Sequence, residues 1–459
     1  MSDTVKAAFP GGKVVEVKRG TVIGTLVENF GVPQNSLAAV KVSNLILSLS
    51  GRLEFNALLE PVTIDSPAGI EIYRRSLAFL LSIATWEIFP NRKLIIGHSL
   101  GYSYYYSFED GKNPLEEEID ALREKMISLV EENHSITTEY LSFAEAVEVF
   151  KKNRQTDTLL LLEMRNEAAI QVNVCHGYTN LHIEPLVPNT GILSTFDLMA
   201  YEQGILLRFP EHGKGVIDLF NNTPSLFSVY REYKKWGRIV GVRSAGELNR
   251  MVMEKTIQDF IRIAEAFQEK KLNEIADRIY QRRKDVKVVL LAGPSSSGKT
   301  TTAKRLSIDL MVMGIKSIPI SLDDYYIGSS QTPLDENGQP DYECLEALDV
   351  PYLNRQLLSL FNGEEVTLPV YDFKTGQRRE SGGRKIRMER RSVLILEGIH
   401  GLNNKLTEKV DPSVKFKLYV SALTQLNLDE CNRIPASDNR LLRRMVRDSQ
   451  FRGVGASWT

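Results

Sequence analysis

A glycine-rich loop is the clearest chemical signal in the sequence, within the stretch LLAGPSSSGKTTTAKRL that starts at Leu290. Its two glycines are separated by four residues and followed by a lysine and a threonine, which is the Walker A spacing. Glycine lets backbone N–H groups approach phosphate oxygens, the lysine adds a mobile positive charge, and the threonine hydroxyl can ligate Mg²⁺. A strand-like run before the loop and a helical run after it complete the pattern, which predicts ATP binding. The loop residues assigned to ATP are Gly293, Pro294, Ser295, Ser296, Ser297, Gly298, Lys299, Thr300 and Thr301.

Three features further along the chain could supply the rest of a phosphoryl transfer. Asp323 follows a strand-like segment and could accept a proton from an attacking hydroxyl. Glu397 ends another such segment and, with Thr300, is assigned to Mg²⁺. The basic stretch DNRLLRRMVRDSQFRG could close over a transferring phosphate. Within the predicted site, Lys299, Asp323 and Arg447 are assigned to catalysis, Arg443 and Arg444 to ATP, and Arg440 to substrate.

Each of these assignments has a structural alternative. Asp323 or its neighbour Asp324 could cap a turn, and Glu397 could be an ordinary surface carboxylate. The arginine stretch could be a solvated basic helix. Because all the features occur in one segment with strand-and-helix alternation, the catalytic interpretation is favoured.

Composition sets limits on the rest of the chain. The 459 residues allow about three domains, and a formal net charge of −1 gives no overall basic field for nucleic acid. The three cysteines are far apart and form no CxxC pair, which favours a reducing compartment. The sequence has neither a signal-peptide pattern nor an apolar run long enough to span a membrane. We therefore expect a cytoplasmic protein, with homo-oligomer formation left open.

Hydrophobic patterning predicts four successive regions. Short β-rich runs indicate a small α+β module at 1–66, and a second α+β domain is expected at 67–235. The latter includes a helix capped by Asn113 with Pro114 in its first turn, and a strand at DTLLLLEM. A helical connector is predicted at 236–285. From 286 to 459, apolar strands alternating with helices predict an α/β domain with a parallel sheet. Its four core strands are expected at about 286–292, 316–321, 392–397 and 415–421.

The last region resembles the uridine kinase/phosphoribulokinase family of P-loop kinases. The resemblance rests on GPSSSGKTT, SLDDYY, PVYDF, LILEG and the arginine segment. It implies a catalytic base at Asp323 and a nucleoside as the acceptor. It also implies substrate-binding roles for Tyr326, Glu346, Tyr371 and Arg378.

Two departures from the family pattern bear on this resemblance. Uridine kinases have a histidine where Gly376 stands, so pyrimidine specificity is in doubt. The family normally continues into a further strand and helix after the arginine segment, so either the region is incomplete at its C-terminal end, as we expect, or this end of the kinase region is unusual.

The first 235 residues resemble the N-terminal region of threonyl-tRNA synthetases, with a TGS-like β-grasp module followed by an editing-like domain. The editing motifs of those enzymes fall on Arg75, Phe79, Cys175 and Thr179. Three of these four positions have lost the motif residue. We therefore expect neither editing hydrolysis nor zinc there.

Other histidines and tyrosines in this region have two interpretations. Cys175 with His176 or His182 could ligate a metal, although two ligands are weak evidence and a structural role is favoured. His98 is expected to be packed or at the surface. The tyrosine run SYYYSF could stack on RNA bases, but tyrosine also favours strands.

Two functional hypotheses follow. The first is an ATP- and Mg²⁺-dependent kinase that phosphorylates a hydroxyl of a small molecule, most simply a nucleoside. The second is an RNA- or ligand-binding regulatory protein in which ATP acts as a switch without nucleoside turnover. An intermediate hypothesis keeps the kinase and makes the N-terminal half its regulator, and tRNA or RNA remains a candidate partner.

Overall fold

The computed structural model describes residues 3–211, 215, 217, 219–336, 338–372, 375–379, 382–452 and 455–456. The chain divides into two compact units. The first combines Met1–Ile257 with Gln425–Ile434, and the second combines Gln258–Thr424 with Pro435–Thr459. A segment of ten residues near the C-terminus, 425–434, thus belongs to the unit formed mainly by the N-terminal half.

The start of the first unit is a mixed β-sheet over its own apolar core. Alternation along its first strand places Val5 and Ala7 in that core. The sheet order is β2-β1-β7-β4-β5, and a 3₁₀ helix spans Ile23–Asn29. The strands are β1 (Thr4–Ala8), β2 (Val14–Lys18), β3 (Thr21–Val22), β4 (Leu37–Val42), β5 (Leu45–Leu47), β6 (Arg52–Leu53) and β7 (Ala57–Thr63).

The remainder of the first unit is a larger α+β arrangement around a long buried helix. This helix, α1, begins at Pro67, where the Ser66 side chain accepts a hydrogen bond from the Gly69 N–H. Two antiparallel sheets follow, with the orders β13-β14-β9-β8 and β10-β11-β12. The elements are α1 (Pro67–Ile88), β8 (Leu94–Ser99), β9 (Ser103–Phe108), α2 (Glu116–Glu131), β10 (Thr137–Ser142), α3 (Phe143–Lys152), α4 (Thr156–Leu162), β11 (Ala169–Cys175), β12 (Tyr178–Leu181), β13 (Asp197–Tyr201), β14 (Gly204–Arg208), α5 (Pro224–Val240) and α6 (Ala245–Met253).

Two local predictions in this unit were wrong. DTLLLLEM is helix α4 rather than a strand, because a short apolar run does not distinguish a buried strand from a buried helix. The Glu430 carboxylate accepts the N–H groups of Asp157 (2.8 Å) and Thr158 (3.3 Å) at the start of this helix. Helix α2 begins at Glu116, without a cap from Asn113, because the Glu118 side chain accepts the Leu115 N–H at 3.0 Å.

The region predicted as a helical connector, 236–285, contains the end of α5, helix α6 and a further helix that starts at Ile257. Helix α6 ends at Met253, and Lys255 adopts a left-handed backbone with φ of 61° before the next helix starts. The boundary between the two compact units falls at this second start, at 257/258. The domain boundary predicted after residue 235 lies inside α5.

The second unit contains the predicted parallel sheet. Its strand order is β16-β21-β15-β22, and every residue of β15 is buried. These strands lie where the four apolar runs predicted them. The elements are α7 (Ile257–Gln281), β15 (Val288–Ala292), α8 (Lys299–Val312), β16 (Lys316–Ser321), α9 (Val350–Phe361), β17 (Glu365–Thr367), β18 (Val370–Asp372), β19 (Gln377–Arg379), β20 (Lys385–Arg387), β21 (Ser392–Glu397), β22 (Lys415–Tyr419) and α10 (Ala436–Arg452).

Strand register brings the motifs to one edge of this sheet. Glu397, the last residue of β21, pairs with Leu291 of β15 and with Ser321 of β16. The glycine-rich loop starts directly after β15, and Asp323 follows β16 by two residues. All three features therefore emerge at the carboxyl ends of parallel strands, where ligands bind in open α/β sheets.

In the described part of the chain, no helix combines the length and apolarity needed to cross a membrane.

Candidate active site

A cavity of about 840 Å³ lies in the second unit at the carboxyl edge of the parallel sheet. The glycine-rich loop, the segment after β16, the end of β21 and helix α10 all contribute to it. Its lining includes many of the residues that the sequence nominated: Ser295, Ser296, Gly298, Lys299, Thr300, Thr301, Asp323, Tyr326, Glu397, Arg443, Arg444 and Arg447.

The loop has the backbone geometry of a phosphate cradle. Gly298 has a φ of 100° and Ser296 a φ of 58°, both in the left-handed region. A Cβ on Gly293 would lie 2.0 Å from the Val420 carbonyl oxygen, so only glycine fits there. Among the described residues, the buried hydroxyls of Ser296 and Ser297 have no hydrogen-bond partner. A phosphate group in the cradle would satisfy such orphaned donors, and helix α8 starts at its edge with its positive end.

Lys299 is placed among the predicted catalytic groups. Its ammonium donates to the Pro294 carbonyl at 3.2 Å. Burial lowers the pKa of Lys299, while the charges of Glu397 and Asp323 raise it and Arg447 lowers it. The lysine is therefore electrostatically coupled to both carboxylates and to an arginine of α10.

Thr300 and Glu397 form a direct contact suited to a divalent cation. The threonine hydroxyl donates to the Glu397 Oε1 at 2.7 Å. A hydroxyl and a carboxylate are hard oxygen ligands of the kind that Mg²⁺ prefers. The donor set thus fits the metal that the sequence assigned to these two residues.

The two adjacent aspartates have different surroundings. Asp323 is exposed, lines the cavity, and donates its backbone N–H to the Ser321 hydroxyl at 3.3 Å. Asp324 is half-buried and accepts the Tyr371 N–H at 3.3 Å. Burial raises the pKa of Asp324. The structural role considered for this pair falls on Asp324, and Asp323 is the carboxylate that lines the cavity.

Helix α10 contributes arginines from one face. The Arg443 Nε donates to the Ser296 carbonyl at 3.1 Å, which joins the helix to the glycine-rich loop. Arg447 also forms an ion pair with the buried Asp448 at 2.8 Å. Arg440, nominated for substrate, is not among the residues that line the cavity.

The residues nominated for binding the acceptor fall into two groups, those that line the cavity and those that do not. Tyr326 lines the cavity, donates to the Tyr342 carbonyl at 3.0 Å, and packs against Tyr371 at 5.6 Å between ring centroids. Burial raises the pKa of both Tyr326 and Tyr371. Tyr371, Glu346 and Arg378 do not line the cavity, and Arg378 instead pairs with Asp349 at 3.0 Å. Two lining residues that the sequence analysis missed are Tyr342 and Glu343.

Gly376 occupies a position that a side chain would strain. Its φ is +64°, and a Cβ there would lie 2.7 Å from the Ser329 hydroxyl. The Gly376 carbonyl accepts the Ser329 N–H at 2.9 Å, which fixes this close approach. A histidine at this position would need a different loop conformation.

In the first unit, the residues at the editing-motif positions are engaged in an ion pair or are buried in the fold. Arg75 pairs with Glu184 at 2.6 Å, and Phe79 is buried against Tyr178 with 5.8 Å between ring centroids. Cys175 is buried, and burial raises the pKa of its thiol to about 11. Thr179 is buried as well.

The histidines considered for metal binding do not group around Cys175. The Nδ1 of His182 lies 2.8 Å from the Asn173 amide oxygen, and burial lowers its pKa to about 4. His176 instead stacks on His134 at 4.1 Å, and the Glu132 carboxylate lies 2.6 Å from the His134 ring nitrogen. The sequence analysis did not single out this small cluster, because its members come from two distant segments.

The tyrosine run of β9 belongs to the protein core. Tyr104, Tyr105 and Tyr106 are all at most 9% exposed, so they are not available to stack on RNA bases. His98 lies close to Tyr230, and burial lowers its pKa to about 4.

The sheet, the phosphate loop and the cavity define the second unit as a P-loop kinase fold. Residues 288–456 match the phosphoribulokinase/uridine kinase family, so this part of the chain is a domain of that family. Solved structures similar to part of the chain include one described as a possible uridine kinase from Bacillus stearothermophilus. It is 21% identical, with a TM-score of 0.28, and covers 40% of this chain and 89% of that one. D-glycerate 3-kinase from Cryptococcus neoformans is 23% identical with a TM-score of 0.23. The match covers 29% of this chain and 52% of that one.

Curated relatives match another part of the chain. Threonine–tRNA ligase of Symbiobacterium thermophilum is 27% identical over 203 residues, 44% of this chain. The ligase of Maridesulfovibrio salexigens is 30% identical over 192 residues, 41% of this chain. The chain spans 31% and 30% of the lengths of these two ligases. The N-terminal region therefore resembles part of a threonine–tRNA ligase.

Proposed function

We propose that the chain is an ATP-dependent phosphotransferase that phosphorylates a hydroxyl group of a small molecule. The observation that carries this proposal is the single cavity lined by Lys299, Asp323, Glu397 and the arginines of α10. These are the groups that phosphoryl transfer requires for charge neutralisation, proton acceptance and metal binding.

Each lining residue has a defined task in this proposal. The loop amides and Lys299 bind the outer phosphates of ATP, and Arg443, Arg444 and Arg447 stabilise the charge on the transferring group. Asp323 accepts the proton of the attacking hydroxyl at its carboxylate. Thr300 and Glu397 would hold Mg²⁺, which supplies positive charge to the phosphate oxygens when bound.

A nucleoside is the acceptor that the family resemblance favours. Tyr326 and Tyr342 provide an aromatic wall beside Asp323, suited to a sugar or base ring. Gly376 stands where uridine kinases have a histidine, so we expect broader or altered base selectivity. Tyr371 and Arg378 would then act by supporting the wall and α9, since neither lines the cavity.

The test is a transfer assay with γ-labelled ATP and a panel of acceptors. The panel contains nucleosides, free sugars and hydroxy acids, and the product is separated from ATP and inorganic phosphate. We expect label on a nucleoside. Label on a sugar or hydroxy acid would retain the phosphotransferase and reject the nucleoside, and label on water alone would reject the kinase.

A second candidate function is an RNA- or ligand-binding regulator in which ATP acts as a switch. The observation in its favour is the 203-residue similarity to threonine–tRNA ligase. Filter binding of tRNA at two salt concentrations tests it. A steep loss of affinity with salt, together with no acceptor phosphorylation, would favour this candidate.

A further inference from the structure

The first unit contains a cavity of about 580 Å³ beneath helix α5. Four basic residues of α5 line it at the spacing i, i+3, i+4, i+7, which places them on one face of the helix. Arg243 lines it from just beyond the helix. Against these five cations the lining has three acids, Glu109, Asp157 and Glu232, so the excess is two positive charges (5 − 3). The basic residues of the helix are Arg231, Lys234, Lys235 and Arg238.

The central cation of this face, Lys234, is held by a neutral partner. Its ammonium donates to the Asn427 amide oxygen at 3.3 Å and lies 5.8 Å from the Tyr230 ring centroid. Burial and the charge of Arg238 lower the pKa of Lys234 to about 8, although the charge of Asp157 acts to raise it. A buried ammonium without an anionic hydrogen-bond partner is unfavourable. An anion in the cavity would remove that cost.

The other exposed cations of the face are available to a ligand. Among the described residues, the side chains of Arg231, Lys235 and Arg238 find no hydrogen-bond or ion-pair partner. Arg243, in contrast, is paired with Glu247 at 2.8 Å. The basic face of α5 therefore has charge that the described part of the protein does not neutralise.

The remaining wall of the cavity is aromatic. Tyr105 lies edge-on to Phe227 at 4.9 Å and to Tyr230 at 5.8 Å, and all three residues are at most 6% exposed. These packed rings form a rigid floor for the cavity, and the cavity volume is in the range of small-molecule sites. The basic face and the volume together match a small organic molecule that carries a phosphate.

Asn427 connects this cavity to the 425–434 segment. Its side-chain amide donates to the Ile96 carbonyl at 2.5 Å, while its backbone N–H donates to the Arg243 backbone carbonyl at 3.3 Å. Its carbonyl accepts the Ala245 N–H at 2.9 Å. The segment lies in the chain between β22, which ends at Tyr419, and α10, which begins at Ala436. A ligand that binds Lys234 therefore competes with a residue that helps to anchor this segment.

We propose that the cavity beneath α5 binds a small organic phosphate of the size of a nucleoside monophosphate, and that binding loosens the 425–434 segment through Asn427. The basic face of α5 binds the phosphate, and the rest of the ligand occupies the remaining volume of the cavity. This site is separate from the glycine-rich loop and does not depend on the kinase proposal.

Binding is tested by calorimetry on the full chain carrying Lys299→Ala, which suppresses phosphate binding at the glycine-rich loop. The probes are adenosine 5′-monophosphate, adenosine and inorganic phosphate. We expect the monophosphate to bind at least about tenfold more tightly than adenosine, a difference of about 1.4 kcal/mol. Equal affinity for the two, or no monophosphate binding at millimolar concentration, would overturn the proposal.

The assignment of the ligand to the cavity beneath α5 is tested with substitutions that are either at exposed positions or isosteric. The double change Arg231→Gln, Arg238→Gln should weaken monophosphate binding at least about tenfold, the scale of one lost charge-assisted contact. Asn427→Asp should weaken it too, because a carboxylate then competes for Lys234. Lys270→Gln, an exposed residue of α7, is the matched control and should have no effect. Unchanged binding in the double variant would place the ligand elsewhere and reject the site.

The effect on the 425–434 segment is measured by hydrogen–deuterium exchange in the same Lys299→Ala chain. Monophosphate should speed exchange at the backbone amides of Asn427 and Ala245, because the bond from Asn427 to the Arg243 carbonyl and the bond from Ala245 to the Asn427 carbonyl are both weakened. The double variant should abolish this response. Binding without any change in exchange would retain the site and reject its link to the segment.

Discussion

The kinase-family region and the ligase-like region differ in what occupies their motif positions. In the former, Lys299, Asp323 and Glu397 line one cavity at the edge of a parallel sheet. In the latter, Arg75 is tied to Glu184, and Phe79 is packed against Tyr178. Both regions retain an α/β or α+β arrangement that their sequences predicted. The comparison teaches that resemblance can carry over a fold in both regions, while the motif positions line a shared cavity in the kinase-family region, where their side chains remain.

The largest expected effect tests the cavity itself. Lys299→Ala should lower ATP turnover by about 10³-fold or more, because the charge that binds the outer phosphates is lost. Steady-state turnover and thermal unfolding are measured together, with Lys304→Ala on the exposed side of α8 as control. If Lys299→Ala keeps its ATP turnover, the motif residues of the kinase-family region would not form an active site. The two regions would then not differ in the way described above.

The next effect tests proton acceptance. Asp323→Asn should lower kcat by about 10²-fold or more with little change in KM for ATP, because the amide cannot take the hydroxyl proton. Asp285→Asn, at an exposed position away from the cavity, is the matched control. An undiminished kcat in Asp323→Asn would assign this residue to the turn rather than to catalysis.

A smaller effect tests the arginines of α10. Arg447→Ala should lower kcat about tenfold, less than the roughly 10²-fold typical of a single lost donor, because Arg443 and Arg444 line the same cavity. Arg447→Lys should recover part of the loss if charge is what matters. If wild type, Arg447→Ala and Arg447→Lys had equal activity, α10 would be the solvated basic helix that the sequence analysis offered as the alternative.

The smallest effect concerns stability of the first unit and its pH dependence. Burial lowers the pKa of His98 to about 4, whereas an unfolded histidine has a pKa of about 6.5. The unfolded chain therefore binds more protons between these values, and stability falls as pH falls through this window. The variant His98→Asn lacks this loss, so its free energy of unfolding should improve relative to wild type by up to about 3 kcal/mol from pH 7 to pH 4.

Urea unfolding at several pH values measures the difference between these two proteins. The comparison cancels the opposing effect of Asp157 and Glu430, whose pKa values are raised by burial. A parallel pH course for wild type and His98→Asn would show that this histidine is not packed as a neutral group.

The sequence predicted the parallel sheet and the phosphate loop because both depend on local patterns. Buried strands are continuous apolar runs, and the loop is fixed by glycine spacing. The sequence did not predict helix α4, since its apolar run fits a strand or a helix, and Glu430 at its start lies more than 270 residues away. Long-range contacts of this kind are not visible in local periodicity.

The candidate site was predictable to the extent that its residues follow strand ends. Lys299, Thr300, Asp323 and Glu397 emerge from adjacent parallel strands, so their convergence follows from the topology. Tyr342 and Glu343 come from an irregular segment and could not be placed in this way. The basic spacing of α5 is readable in the sequence, but its cavity also needs Asn427, which is 193 residues from Lys234.

The most direct test of the central claim follows the γ-phosphate of labelled ATP in the presence of a nucleoside mixture. Wild-type protein should place the label on an organic hydroxyl, while Asp323→Asn, at equal protein and ATP, should yield about 10²-fold less of that product. Label recovered only as inorganic phosphate from wild-type protein would contradict the account, because the cavity would then hydrolyse ATP without serving an acceptor.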